Sequence, residues 1–232
     1  MLTNLKTFTL VGATSSPVDV EVSAVQIPES SEGQSQEFRP IVVGMAKTVV
    51  RESLYRLKIA IEHSGFPFRK AAIVVNLAPA DLPKQAASFD LPIALGVISS
   101  TGLACFDKLT EYAVVGELDL FGNTRPCRGI LAAARSAKRL GLRGVIVPAE
   151  NAREAALVEG IEAIPVNSLR EAAAFLQGEL DIPPAPGLTG DEFSAFSQYD
   201  VDFSEVCGQE TAKRAMTIAA AGGHNVLMVG SP

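Results

Sequence analysis

Cysteine and histidine are scarce in this chain of 232 residues, with three of the first and two of the second. Cys105, Cys127 and Cys207 are far apart, odd in number and without a CxxC pair, so they offer no zinc framework and suit a reducing compartment. His63 and His224 stand in unrelated contexts, and no metal site is expected. Long apolar runs are missing as well: nothing approaches the roughly 18 residues of a membrane-spanning helix. Residues 2–13 are broken by Asn4, Lys6, Thr7 and Thr9, which reads as a strand and not as a secretion signal. A soluble, cytoplasmic protein is expected. Excess positive charge is also absent. A formal charge of −6 argues against an evenly basic nucleic-acid surface, while leaving room for one basic face on an acidic molecule.

What is present is apolar and patterned. Hydrophobic residues make up 47% of the chain, enough for a sizeable core. Residues 5–13 and 17–27 read as two pairing strands separated by Ser15-Ser16-Pro17, with alternation at Val18, Val20 and Val22. A polar loop at 28–38 leads to a third strand at 41–43. Val50, Leu54, Leu57 and Ile61 repeat at helical spacing, which predicts an amphipathic helix over 46–63 ended by Gly65 and Pro67. Arg51, Arg56 and Lys58 on its other faces, with Arg69 and Lys70 beyond its end, are read as a solvated basic surface, and His63 as a partner for the helix's last carbonyls.

The stretch 75–95, VNLAPADLPKQAASFDLPIAL, runs from a β-rich segment through a proline-punctuated loop into an almost wholly apolar helix. Ser88 or Asp90 is expected to cap that helix, and Pro92 fits its first turn. Short strands follow at 112–115 and 118–120 and a turn at Gly122-Asn123. Helices are expected over 130–140, 151–158 and 167–177 (capped by Asn167 or Ser168), with strands at 145–147 and 161–165 between them. This alternation points to an α/β fold with parallel strands. Residues 178–192 hold three prolines, three glycines and four acids without apolar periodicity, the composition of a linker. A helix over 209–221 and a strand over 225–229 come after it.

VNLAPADLP at 75–83, FDLPIAL at 89–95 and VRES at 50–53 resemble the N-terminal domain of the ComM/YifB family of Mg-chelatase-like AAA+ proteins. The resemblance implies a two-layer α+β domain at 1–177 with the ribosomal protein S5 domain 2-like fold of the Lon proteolytic domain. It further implies a linker at 178–202 and the opening of an AAA+ module at 203–232. For the parent protein it implies an ATP-driven motor acting on DNA branches in natural transformation, with ATP, magnesium, DNA and a hexameric assembly. The alternatives are a Mg-chelatase-type ATPase subunit and an ATP-dependent Ser-Lys protease related to Lon. The family's glycine-rich GLPGF-like string is absent from the neighbourhood of residues 28–43.

A Ser-Lys hydrolase needs a hydroxyl beside a lysine able to take its proton. Aligned with the Lon strings, Asp90 stands where the nucleophile belongs and Leu131 where the lysine belongs, so no catalytic residue is assigned. Ser88, Ser99, Lys84 and Lys138 are the only replacements the sequence suggests. At the other end, residues 225–229 lead into Gly230-Ser231-Pro232, which resemble the first positions of a phosphate-binding loop, and Val206 and Cys207 match the family's adenine-contacting segment. These five residues form a partial ATP site by resemblance; no cofactor is expected to bind this stretch alone.

Overall fold

The computed structural model describes residues 2–12, 14–26, 41–43, 48–67, 71–82, 87–187 and 202–230. Its contacts divide the chain into two units, Met1–Leu188 and Thr189–Pro232.

The first unit is built on a seven-stranded sheet of order β3-β4-β2-β1-β5-β8-β9. Strand β1 (Leu2–Val11) and β2 (Thr14–Gln26) form an antiparallel hairpin, with Leu2 opposite Ser23 and Val11 opposite Thr14. Strand β4 (Ala71–Ala78) runs antiparallel to β2, and the short β3 (Ile41–Val43) lies parallel to β4. On the other side β5 (Tyr112–Val114), β8 (Gly144–Pro148) and β9 (Glu162–Val166) continue parallel to β1. Six strands thus point one way and β2 alone opposes them. A separate two-stranded ribbon, β6 (Glu117–Leu118) with β7 (Thr124–Arg125), follows β5.

Burial explains where helices lie. Strand β8 is buried along its whole length, as expected for a parallel strand covered on both faces, whereas β4 alternates buried and accessible positions and has one open face. On the first face α1 (Thr48–His63), α2 (Asp90–Ser100) and α5 (Leu169–Gln177) cover Val18, Val20, Val75, Leu77, Val114 and Ile146. On the second face α3 (Ile130–Arg139) and the single turn α4 (Ala152–Ala155) cover Phe8, Ala113, Val115, Val145 and Val147. The unit therefore has two layers over β2, β4 and β3 and a third layer over the parallel half.

In this unit the strands and helices expected from the sequence are present among the described residues, with local shifts. The helix expected over 151–158 shortens to a 3-10 turn at Ala149–Asn151 and α4. Ser168 caps α5, its Oγ accepting from the Glu171 amide at 3.2 Å, while the Glu171 carboxylate accepts from the Asn167 amide at 2.8 Å. Beyond α5 the chain stays on the unit: Ile182 and Ala185 pack against the core, and the Ala185 amide donates to the Ala163 carbonyl at 2.8 Å. The polar loop expected at 28–38 lies outside the described residues.

In the second unit the described residues form a 3-10 turn, Phe203–Glu205, and a helix, α6 (Glu210–Gly222). The strand expected over 225–229 is not formed. Residues 224–230 carry no regular structure, and Leu227 and Val229 are 87% and 90% exposed. A strand gains its stability from partners across the ladder, and the described residues here supply none.

Candidate functional site

Helix α2 is nearly all apolar and buried, so the one charge it carries is conspicuous: Asp90, in its first turn, is fully buried. The helix start is fixed from outside. The Leu91 amide donates to the Gly116 carbonyl at 2.9 Å, and the Gly116 amide donates to the Ser88 carbonyl at 3.0 Å. Asp90 is not the cap expected from the sequence. The N-cap position is Phe89, and the Asp90 Oδ2 atom instead accepts from Arg56 Nη2 at 2.8 Å and from the Leu118 amide at 3.3 Å. The reason is electrostatic: a carboxylate taken out of water needs a charged partner, and the Leu91 amide at this helix start is already satisfied by the Gly116 carbonyl. Arg56 is correspondingly not part of a solvated basic surface. Its side chain is 34% exposed, and its Nε is buried without an acceptor among the described residues.

A cleft of about 300 Å³ opens beside the pair, lined by Arg56, Glu117, Leu118, Asp119, Leu120, Phe121 and Arg125. Its rim is the β6–β7 turn, organised by Asp119, whose Oδ1 accepts from the amides of Phe121 and Asn123 at 2.9 Å each. Burial pushes the Asp119 carboxyl up, but the Asn123 and Phe121 hydrogen bonds and the charge of Arg125 outweigh it and hold the group below its ordinary value. Gly122, at φ +83°, lets this turn lie against α1, where a Cβ would collide with Ser64 Oγ. Phe121 packs on His63 with ring centroids 5.6 Å apart.

Cys127 completes the neighbourhood. Its amide donates to Asn151 Oδ1 at 2.8 Å, and Asn151 Nδ2 donates back to its carbonyl at 3.1 Å. Burial pushes the thiol up to about 11, opposed by a Glu117 backbone hydrogen bond and reinforced by the carboxylates of Glu117 and Asp90. A thiol held protonated is a poor nucleophile. Sequence reasoning missed both Arg56 and Cys127 here. A lone aspartate inside an apolar helix does signal a missing cation, but it cannot choose among the five basic residues of 51–70.

Leu131 sits elsewhere in character. It lies in the first turn of α3, 36% exposed, with its amide donating to Glu154 Oε1 at 2.9 Å. Of the replacement lysines, Lys138 Nζ donates to the Glu159 carbonyl, and Lys84 lies outside the described residues. Ser99 Oγ accepts a hydrogen bond from Thr3 Oγ1 at 3.1 Å. The geometry thus presents a closed ion pair and a small cleft, with no hydroxyl hydrogen-bonded to a lysine among the described residues.

In the second unit Val206 and Cys207 are exposed, the Val206 carbonyl accepts from Lys213 Nζ at 2.9 Å, and Gly230 is exposed. Ser231 and Pro232 lie outside the described residues. A phosphate cradle is a strand, loop and helix whose amides converge. The described residues of 224–230 lack the strand, so they do not fit the triphosphate of a nucleotide. No group of three or more metal-ligating side chains occurs among the described residues.

Comparison with known proteins follows this division. A family model described as subunit ChlI of Mg-chelatase matches residues 30–151, more than half of the chain, and a second, magnesium chelatase subunit ChlI, matches residues 202–232. The chain belongs to the Mg-chelatase-like ComM/YifB family. The uncharacterized protein YifB of Escherichia coli K12 is 39% identical over 192 residues, covering 82% of this chain and 37% of the relative. The competence protein ComM of Haemophilus influenzae is 36% identical over 192 residues, 82% of this chain and 38% of the relative. A distant similarity reaches Lon protease 2 of Bacillus subtilis, 26% identical over 154 residues, 66% of this chain and 26% of that protein. The mixed α/β architecture agrees with that distant relationship. The chain thus spans little more than a third of the length of its ComM-like relatives. No helix among the described residues is long and apolar enough to cross a membrane.

Proposed function

We propose that the chain is the non-proteolytic N-terminal portion of a ComM-like, ATP-driven DNA motor, whose parent moves branched DNA during natural transformation or recombination. The observation that carries the non-proteolytic half is the fully buried Asp90, paired with the partly exposed Arg56, at the position aligned with the Lon nucleophile. A carboxylate already committed to a guanidinium and an amide cannot act as the alcohol of a Ser-Lys pair, and the aligned base position holds Leu131. The DNA half is supported by the similarity to a competence protein. In the parent, a completed AAA+ module would hold ATP and magnesium, which supply the energy of the cycle, and the active form is a hexamer in the cytoplasm. Within this chain Val206, Cys207, Gly230, Ser231 and Pro232 would contribute only the adenine side and the first turn of that nucleotide site.

Three measurements test the reading, the first two on the parent. Unfolded casein should not be cleaved, with or without ATP; cleavage abolished by Ser88→Ala or Ser99→Ala would revive the protease alternative. ATP turnover should rise on addition of branched DNA, and a parent indifferent to DNA would remove the motor assignment. The short chain should not bind a fluorescent ATP analogue saturably at micromolar concentrations, whereas the parent should.

A further inference from the structure

Helix α3 carries three cations and no acidic residue, in a chain whose net charge is −6. Arg135, Lys138 and Arg139 are exposed, as is Arg128 in the turn that leads into the helix. Its apolar side, Ile130, Ala133, Ala134 and Ala137, is spent on the core. The cations are not balanced locally. Arg128 and Arg135 enter no ion pair among the described residues, whereas Lys6, Arg56, Arg125 and Arg143 each face a carboxylate. Among the described residues Arg139 donates only to the neutral Ser136 hydroxyl, at 2.7 Å. The flanks carry the carboxylates of Glu154 and of Glu159, whose carbonyl accepts from Lys138, but neither forms an ion pair with Arg128, Arg135 or Arg139 among the described residues. Glu154 of α4 is engaged by the Leu131 amide and by Asn151 Nδ2. The β1–β2 turn, which reaches α3 through the 2.8 Å Ser15–Ser136 bond, has no acidic residue from 7 to 18.

We propose that the solvent face of α3, with Arg128, Arg135 and Arg139, docks the phosphate backbone of a nucleic acid. The surface rests on charge; only the choice of nucleic acid among polyanions leans on the reading of the parent as a DNA motor. Three arginines favour phosphate, because the planar guanidinium donates two parallel hydrogen bonds to it. Arg135 and Arg139 lie one turn apart, about 6 Å along the axis, which lets both reach one stretch of backbone. An anionic membrane fits less well, since a helix that binds the interface must insert its apolar side and that side of α3 is buried. The docking reads no bases, so it is independent of sequence and weakens with salt.

The test is anisotropy of a labelled random-sequence duplex titrated with the full chain at low salt. Binding is expected, with a log–log salt slope of about −3 for three neutralised phosphates. Arg128→Ala/Arg135→Ala/Arg139→Ala should weaken it at least about tenfold and flatten the slope. Arg143→Ala, which breaks two ion pairs away from α3, should leave affinity unchanged. Should the triple variant melt early, Arg128→Ala/Arg135→Ala, which breaks no ion pair, still decides the matter through its salt slope. Wild-type affinity in these variants, an equal loss in Arg143→Ala, or preferential capture by phosphatidylserine vesicles or polyglutamate overturns the proposal. Failure of the motor reading looks different: the parent's ATP turnover ignores DNA while duplex binding by the chain and its loss in the variants persist.

Discussion

Asp90 and Leu131 occupy the two positions that alignment with Lon assigns to a nucleophile and its base, and their surroundings are opposites. Asp90 is fully buried on an apolar helix and held by Arg56 and the Leu118 amide. Leu131 is 36% exposed on a helix whose open face is basic. Removing a buried charge's partner is costly because the charge left behind has no water, whereas an exposed apolar side chain can be exchanged with small effect. Stability should therefore concentrate in the first region, and surface interactions in the second.

The largest effect expected is from Arg56→Ala. It strands the Asp90 carboxylate in the core and should destabilise by about 3 kcal/mol, the lower end for a broken buried pair because the Arg56 side chain is itself one-third exposed. Leu131→Lys should change stability by less than about 0.5 kcal/mol. Urea unfolding of both variants measures the contrast, and equal losses would erase it. Gly129→Ala comes next. Gly129 is the N-cap of α3 at φ +82°, where a Cβ would meet the Leu10 side chain, so the substitution combines left-handed strain with a clash and should cost about 1–2 kcal/mol. Because the backbone and not the exposed face suffers, its duplex binding should survive. A stability unchanged from wild type would show that the turn into α3 is not as constrained as its φ implies.

The parallel half of the fold was legible because its signals are local and repeated: short β-rich runs alternating with helices, with Gly141 after α3 and the Ser168 cap of α5. Sequence patterns placed α1, α2, α3, β8, β9 and α5 within a few residues. What they could not supply was pairing over distance. Arg56 looked like any exposed basic residue, since its partner lies 34 positions away and only the packing of α1 on α2 brings them together. The strand expected over 225–229 did not form, because β-propensity does not make a strand without neighbours to pair with. The basic face of α3 was visible as residues and invisible as a surface, because the whole-chain charge is negative and only the fold shows that Arg128 and Arg135 enter no ion pair among the described residues.

The smallest effect concerns Cys127, at the border of the two regions: it feels the Asp90 charge, and it precedes the Gly129 cap by two positions. Burial, helped by the carboxylates of Glu117 and Asp90 against a Glu117 backbone hydrogen bond, pushes its thiol up to about 11. The folded pKa is raised above the unfolded one, so the contribution of the protonated thiol is complete below the unfolded value of about 8.5 and is lost as pH rises through about 11. In a Cys105→Ser/Cys207→Ser background, which removes the two exposed thiols, the rate of iodoacetamide alkylation should climb with a midpoint near 11. Asp90→Asn should move that midpoint downward, because one of the charges opposing the thiolate is gone. A midpoint at the ordinary thiol value, or one indifferent to Asp90→Asn, would mean that the carboxylate's field does not reach the start of α3, and that the ion pair and the helix of Leu131 are electrostatically independent.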